Sequence, residues 1–212
     1  MSYVNRQDAG KQLAQALRRF KGKDTVVLAL PRGGIVLGVE VAKELKAPLG
    51  LVLVRKIGHP TNSEYAIGAV AEGEEPVYNE DELRGLDNSW LKDAVLSARQ
   101  VIEHRREMYY SDDFIPPEVK DKTVILVDDG VATGLTMEAA VRAMQSKQAK
   151  RVIVAVPVAP RDSIKQLEAI ADEVVVLDKP NSFLGAVGSY YKEFEQVDDE
   201  EVRALLREVR DD

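Results

Sequence analysis

TVILVDDGVATGLT, residues 123 to 136, decides how the rest of the chain is read. Val124 to Val127 are consecutive apolar side chains, the pattern of a strand buried on both faces. They run directly into Asp128, Asp129 and Gly130 and then into a Thr133-Gly134-Leu135-Thr136 turn. From Leu135 the apolar positions Ala139, Ala140, Val141, Ala143 and Met144 recur at roughly helical spacing, so the turn opens a helix. The backbone N–H groups of residues 132 to 136 then lie at a helix N-terminus, where unpaired amides and the positive end of the helix dipole both favour an anion.

The two aspartates narrow this reading. Adjacent strand residues point to opposite faces, so Asp128 and Asp129 share a direction only if the strand ends there, and like charges this close repel. A ribose diol, a bound Mg²⁺ ion, or both would satisfy carboxylates beside a phosphate-binding turn. The plain alternative is an ordinary strand-to-helix turn in which one aspartate caps the helix.

Asp128-Asp129-Gly130-Val131-Ala132-Thr133-Gly134-Leu135-Thr136, following a hydrophobic strand, resembles the phosphoribosyl-pyrophosphate signature of type I phosphoribosyltransferases. The resemblance implies that Asp128 and Asp129 hold the ribose hydroxyls and Mg²⁺. It also implies a substrate loop made of Gly130, Val131, Ala132, Thr133, Gly134 and Thr136, with the Thr-Gly-x-Thr part wrapped round the 5′-phosphate. The implied reaction moves a 5-phosphoribosyl group from phosphoribosyl pyrophosphate to a nitrogenous base or related nucleophile and releases pyrophosphate. A cytoplasmic homodimer is implied with it. The hypoxanthine–guanine branch carries an aspartate where this chain has Ala132, so the motif resembles the adenine and orotate enzymes more closely and lacks that acid-base candidate.

Composition sets outer bounds. The 212 residues carry no linker-like tract and suit one domain with accessories. A formal net charge of −7, from 29 basic and 36 acidic residues, argues against general nucleic-acid binding and requires the positive charge for a polyphosphate to be local. The absence of cysteine excludes disulfides, thiol nucleophiles and cysteine-ligated zinc and fits a reducing compartment. No apolar run approaches the length needed to span a bilayer, and no membrane partner is expected.

Elsewhere the chain repeats the same design. Residues 6 to 20 read as a surface helix capped by Asn5 or Asp8, to which no chemistry is assigned. A charged turn over residues 21 to 24 leads to a buried strand, Thr25 to Leu30, and then to Pro31-Arg32-Gly33-Gly34 and a second helix. Gly33 and Gly34 allow close backbone approach to a ligand, and the loop resembles the family's pyrophosphate grip. The strand of residues 49 to 54 ends at Arg55-Lys56, two cations that need water or an anion. The resemblance implies that Arg32, Arg55 and Lys56 hold pyrophosphate, which makes them the candidate catalytic cations. Residues 57 to 64 read as a breaker-rich loop placed like the family's closing loop, with His59 as a further donor, and Ala66 to Ala71 as another strand.

Residues 80 to 117 are an expected helical insertion, serving a dimer contact or covering the core and ending at Phe114-Ile115-Pro116-Pro117. Strands over residues 151 to 160 and 173 to 177 flank a short helix capped by Asp162 or Ser163. This alternation predicts a doubly wound, mainly parallel α/β sheet over residues 1–178, with ligands at the carboxyl ends of the strands. From residue 179 the alternation stops, and residues 179–212 resemble in place the family's C-terminal cap. The resemblance implies that Phe183 or Tyr190 stacks on a heterocyclic base, the plain alternative being that these rings pack against the core. Asp198 with Glu201 reads as a capping box for a final helix. A second class of function has the same motif in a non-catalytic protein that binds phosphoribosyl pyrophosphate or a nucleotide. A P-loop kinase is excluded, because residues 130 to 136 lack the lysine of that loop.

Overall fold

The computed structural model describes residues 2–22, 24–110 and 115–211, with the side chains of residues 64, 210 and 211 also outside the description. Lys23 of the expected turn, Phe114 at the expected end of the insertion, and Asp212 lie outside the described residues.

Helix α1 (Arg6–Ala16) starts at Asn5, whose side chain accepts from the Asp8 amide at 2.9 Å. Asp8 answers by accepting from the Val4 amide at 2.9 Å, so two otherwise orphaned donors are satisfied. Strand β1 (Thr25–Ala29) and helix α2 (Gly34–Leu45) follow, then the short strand β2 (Leu49–Leu51). Strands β3 (Val54–His59), β4 (Asn62–Ala71) and β5 (Val77–Tyr78) lead to the long helix α3 (Asn88–Tyr109). The second half comprises β6 (Thr123–Val127), α4 (Leu135–Ser146), β7 (Arg151–Val158), α5 (Arg161–Glu168), β8 (Glu173–Asp178) and α6 (Asp199–Asp211).

Five strands form a parallel sheet in the order β2-β1-β6-β7-β8. Strand alternation divides its side chains between two cores. Val27, Ile125 and Ile153 face a cluster shared with α1, α2 and α6, whereas Leu126 and Val154 face one built with α4 and α5. Both faces are covered, which is why the strands read as unbroken apolar runs. The chain leaves β1 toward β2 on one side but reaches β7 and β8 from β6 on the other. The loops after β1 and β6 therefore diverge from adjacent strands, the switch point at which open α/β sheets generally bind ligands.

Three expectations need correction. Residues 57–64 are not a loop: β3 and β4 form an antiparallel hairpin turning at Pro60-Thr61, with His59 Nδ1 and Thr61 Oγ1 2.8 Å apart at its tip. The tip, Pro60 to Ser63, is exposed and needs no apolar run, so its polar, breaker-rich sequence concealed the hairpin. The strand expected over residues 49 to 54 stops at Leu51, and Arg55 and Lys56 belong instead to β3. Neither Asp162 nor Ser163 caps α5; the cap position is Pro160, without a side-chain bond. Ser163 Oγ instead donates to the Ala132 carbonyl at 2.7 Å, tying α5 to the central motif.

Helix α3 covers the core, with Ala98, Ile102 and Tyr109 buried and Trp90, Leu91, Ala94 and Val95 packed at its edge. Asp198 caps α6 by accepting from the Glu201 amide at 2.8 Å. Tyr190, Tyr191, Val197, Val202 and Leu206 belong to the same buried cluster as α1 and α2. No helix among the described residues is long and apolar enough to cross a membrane.

Candidate functional site

Strand β6 ends at Val127, so Asp128 and Asp129 leave it together at the switch point. The carbonyl of Val127 accepts from the Leu30 amide at 2.9 Å, which locks the ends of β1 and β6 side by side. A Cβ built on Gly34 would meet that carbonyl at 2.7 Å and Asp128 Cα at 3.0 Å. Glycine is thus required for the loop after β1 to approach the acids so closely.

Gly134 opens α4 at φ +85°, in the left-handed region that favours glycine. The Val131 amide donates to the Val158 carbonyl at 2.9 Å and so belongs to the framework rather than to an anion site. Among the described residues the amides of Ala132, Thr133, Gly134, Leu135 and Thr136 have no protein acceptor, and Ala132 and Thr133 are exposed. The structure thus presents free donors at a helix N-terminus beside two carboxylates.

Those carboxylates are electrostatically loaded. Burial, and then the neighbouring charge of Asp129, hold the Asp128 carboxyl well above its ordinary range, although the Asp129 amide donates to Asp128 Oδ1 at 2.8 Å. Burial also pushes Asp129 up, opposed by Arg6, whose Nε donates to Asp129 Oδ2 at 2.8 Å. Hydroxyl donors or a cation would relieve both groups. Among the described residues no three His, Asp or Glu side chains gather as a metal cage. A pair of carboxylates alone suits Mg²⁺, which keeps waters and takes most of its ligands from substrate oxygens.

The other candidates are placed less uniformly. Arg32 lies after β1, but its guanidinium is 3.9 Å from Asp199 Oδ2 at the start of α6. Asp199 also accepts from the Tyr109 hydroxyl of α3. Of the two loop glycines, Gly34 donates its amide to the Leu30 carbonyl at 3.1 Å, whereas the Gly33 amide has no protein acceptor among the described residues. Arg55 and Lys56 are adjacent in β3, paired with Val70 and Ala69, and therefore face opposite sides of the ribbon. Lys56 shares its side with Val54 and Ala69 toward α4, and Arg55 shares the other with Ile57 toward α3.

Phe183 and Tyr190 stack on each other, with ring centroids 5.4 Å apart. Tyr190 is 4% exposed, and its hydroxyl accepts from the Leu184 amide at 3.0 Å. That ring is a pillar of the cap, and only the half-buried Phe183 retains surface for another ring. A cavity of about 410 Å³ lies between the hairpin and the motif, lined in part by Tyr65, Tyr78, Thr133, Leu135, Glu138 and Gln166.

Reading the sequence missed Arg6, Tyr191, Tyr109 and Asp199. Arg6 carried one signal: a cation at the first residue of a helix opposes the helix dipole, so it needs a partner elsewhere. The tyrosines and Asp199 carried none, because their roles depend on contacts between distant segments.

The model of the phosphoribosyl transferase domain matches residues 4–192 of this chain. The chain belongs to the phosphoribosyl transferase family. Within that family, two Mycobacterium tuberculosis proteins provisionally named as phosphoribosyl transferases are 41% identical to it over 207 residues. The alignment covers 96% of this chain and 46% of each relative, so the chain spans about half the length of the curated relatives it matches. The crystal structure of TT1426 from Thermus thermophilus is 44% identical, with a TM-score of 0.78 over 98% of this chain and 99% of that one. The AQ2163 protein of Aquifex aeolicus shares the fold at 17% identity, with a TM-score of 0.53 over 85% of this chain and 78% of its own. The doubly wound α/β architecture expected from the sequence is thus the phosphoribosyl transferase fold.

Proposed function

We propose that this chain transfers a 5-phosphoribosyl group from phosphoribosyl pyrophosphate to a nitrogen nucleophile on a heterocyclic base. The observation that carries this reading is the set of acceptor-free amides at residues 132 to 136, beside the buried Asp128 and Asp129, at the switch point of the sheet. The amides take the 5′-phosphate and the acids take the ribose hydroxyls.

In the reaction the nitrogen lone pair forms a bond to C1 of the ribose. The bond from C1 to the pyrophosphate oxygen breaks, and its electron pair leaves with pyrophosphate. The proton on the nucleophile passes to pyrophosphate or solvent, since position 132 is alanine and offers no carboxylate. Negative charge grows on the leaving group, and the Gly33 amide with Arg32 and one of the two β3 cations stabilises it. Because Arg55 and Lys56 face opposite sides of the ribbon, one of them serves the leaving group and the other does not. Asp128 and Asp129 fit Mg²⁺, which when bound neutralises phosphate charge. The reading includes a homodimer, for which Leu96, 57% exposed on α3, is a candidate contact; light scattering checks it.

Isothermal titration with phosphoribosyl pyrophosphate, with and without Mg²⁺, tests the site. A screen of purine, pyrimidine and pyridine bases for pyrophosphate release tests the chemistry. Absence of binding overturns the site, and binding without turnover across the panel favours a non-catalytic binding protein.

A further inference from the structure

The second acid of the motif is held by both ends of the chain. Arg6, the first residue of α1, is only 12% exposed in its side chain, and Asp129 is 15% exposed. Arg6 Nε donates to Asp129 Oδ2 at 2.8 Å, and Arg6 Nη1 donates to the Glu195 carbonyl at 2.5 Å. The central carbon of its guanidinium, Cζ, lies over the Phe194 ring, 3.7 Å from the centroid and within cation–π range. On the backbone side, the Tyr191 hydroxyl donates to the Asp129 carbonyl at 2.5 Å. A fixed planar fork that uses two nitrogens and one face has little freedom to turn, unlike a lysine ammonium.

Gly33 shows that the loop after β1 is shaped around this pair. A Cβ built there would lie 2.0 Å from Asp129 Oδ2 and 2.8 Å from Arg6 Nε. Any side chain at position 33 would therefore displace the ion pair. Among the described residues no side chain other than Arg6 donates to the Asp129 carboxylate, so Arg6 occupies Oδ2 and leaves Oδ1 without a side-chain donor.

We propose that Arg6 is a positioning residue for sugar recognition, which locks Asp129 so that Oδ1 accepts a hydroxyl of the vicinal diol of a phosphorylated pentose. The Glu195 carbonyl and the Phe194 ring hold Arg6 in turn, so the segment after Tyr191 supports the diol site without touching the sugar. This assignment rests on the phosphoribosyl reading and adds to it a residue from outside the motif.

The test is equilibrium titration of the full chain with ribose 5-phosphate, 2-deoxyribose 5-phosphate and 3-deoxyribose 5-phosphate, comparing wild type with Arg6→Gln and Arg6→Lys. A hydrogen bond to a charged acceptor supports a preference of about tenfold or more for the hydroxylated sugar over one of its deoxy analogues. Arg6→Gln is expected to reduce that ratio to within about threefold of unity while leaving the affinity for the deoxy sugar nearly unchanged. Arg6→Lys keeps the charge but cannot bridge all three partners, and it is expected to retain only part of the discrimination. Circular dichroism confirms folding, and if Arg6→Gln does not fold, Arg6→Lys is judged by the same ratio. Discrimination retained at the wild-type level, or affinity lost equally for all three sugars, overturns the proposal. A wild-type protein that binds none of the sugar phosphates overturns the functional reading instead.

Discussion

Arg6 Nε lies 2.8 Å from Asp129 Oδ2, although 123 positions of sequence separate the two residues. The contact joins the start of the chain to the centre of the sheet. It also divides the acid pair unequally, because Asp128 has no cation of its own at hydrogen-bond distance among the described residues. That asymmetry sets how the two acids respond to substitution and pH.

Asp128→Asn is expected to stabilise the folded protein at neutral pH. The folded-state carboxyl is held above the ordinary value of 3.8, so the contribution of Asp128 to stability is full below that value and is lost as pH rises through the folded one. Asparagine removes the buried charge and can still accept from the Asp129 amide. Thermal unfolding of both proteins from pH 3 to 8 should show a higher Tm for the variant at pH 7 and convergence at the acid end. Equal Tm values at pH 7 would refute the assignment. The variant should also lose sugar-phosphate binding, which makes the buried charge a stability cost retained for function.

Gly33→Ala should be destabilising by about 1–3 kcal/mol, because the methyl group has to displace Asp129 and Arg6. Gly22→Ala is the control, since nothing lies within 4 Å of its built Cβ. Urea unfolding compares the two, and similar midpoints would show that the first loop yields easily.

Gly134→Ala tests the phosphate turn separately. The nearest atom to its built Cβ is 3.6 Å away, so space is sufficient and the strain comes from φ +85°. A cost of about 1–2 kcal/mol in stability is expected. Affinity for ribose 5-phosphate should fall about tenfold or more, because relaxing φ re-aims the amides beginning α4. Unchanged affinity in titration calorimetry would remove those amides from the site.

Arg32→Ala should lower turnover far more than stability. Its contact with Asp199 is 3.9 Å long and about a third exposed on both sides, so it contributes no more than about 1 kcal/mol. As a preorganised donor to the leaving group it is worth about 3 kcal/mol, roughly a hundredfold in rate. Single-turnover pyrophosphate release, measured with whichever base the screen identifies, decides this, and an unchanged rate would sink the assignment.

The motif and its helix were legible because their signals are local. Val124 to Val127 are apolar on both faces, Gly134 supplies a left-handed turn, and residues 135 to 146 carry helical periodicity. The hairpin was not legible, because its exposed tip, Pro60 to Ser63, has the polarity of a loop. The contact of Tyr190 with Phe183 was not legible for a related reason: an aromatic ring near the end of a chain has the same composition whether it faces a ligand or a neighbouring ring.

By itself the sequence determined the alternation of buried strands and helices and the placement of two acids and a helix-opening turn after the central strand. These follow from hydrophobic period and backbone chemistry within a few residues. Only the tertiary structure decided that Arg6 and Tyr191 hold Asp129, that Arg32 leans on Asp199, and that Arg55 and Lys56 part to opposite faces. Such pairings are set by which distant segments the two cores bring together, and side-chain type alone does not encode that geometry.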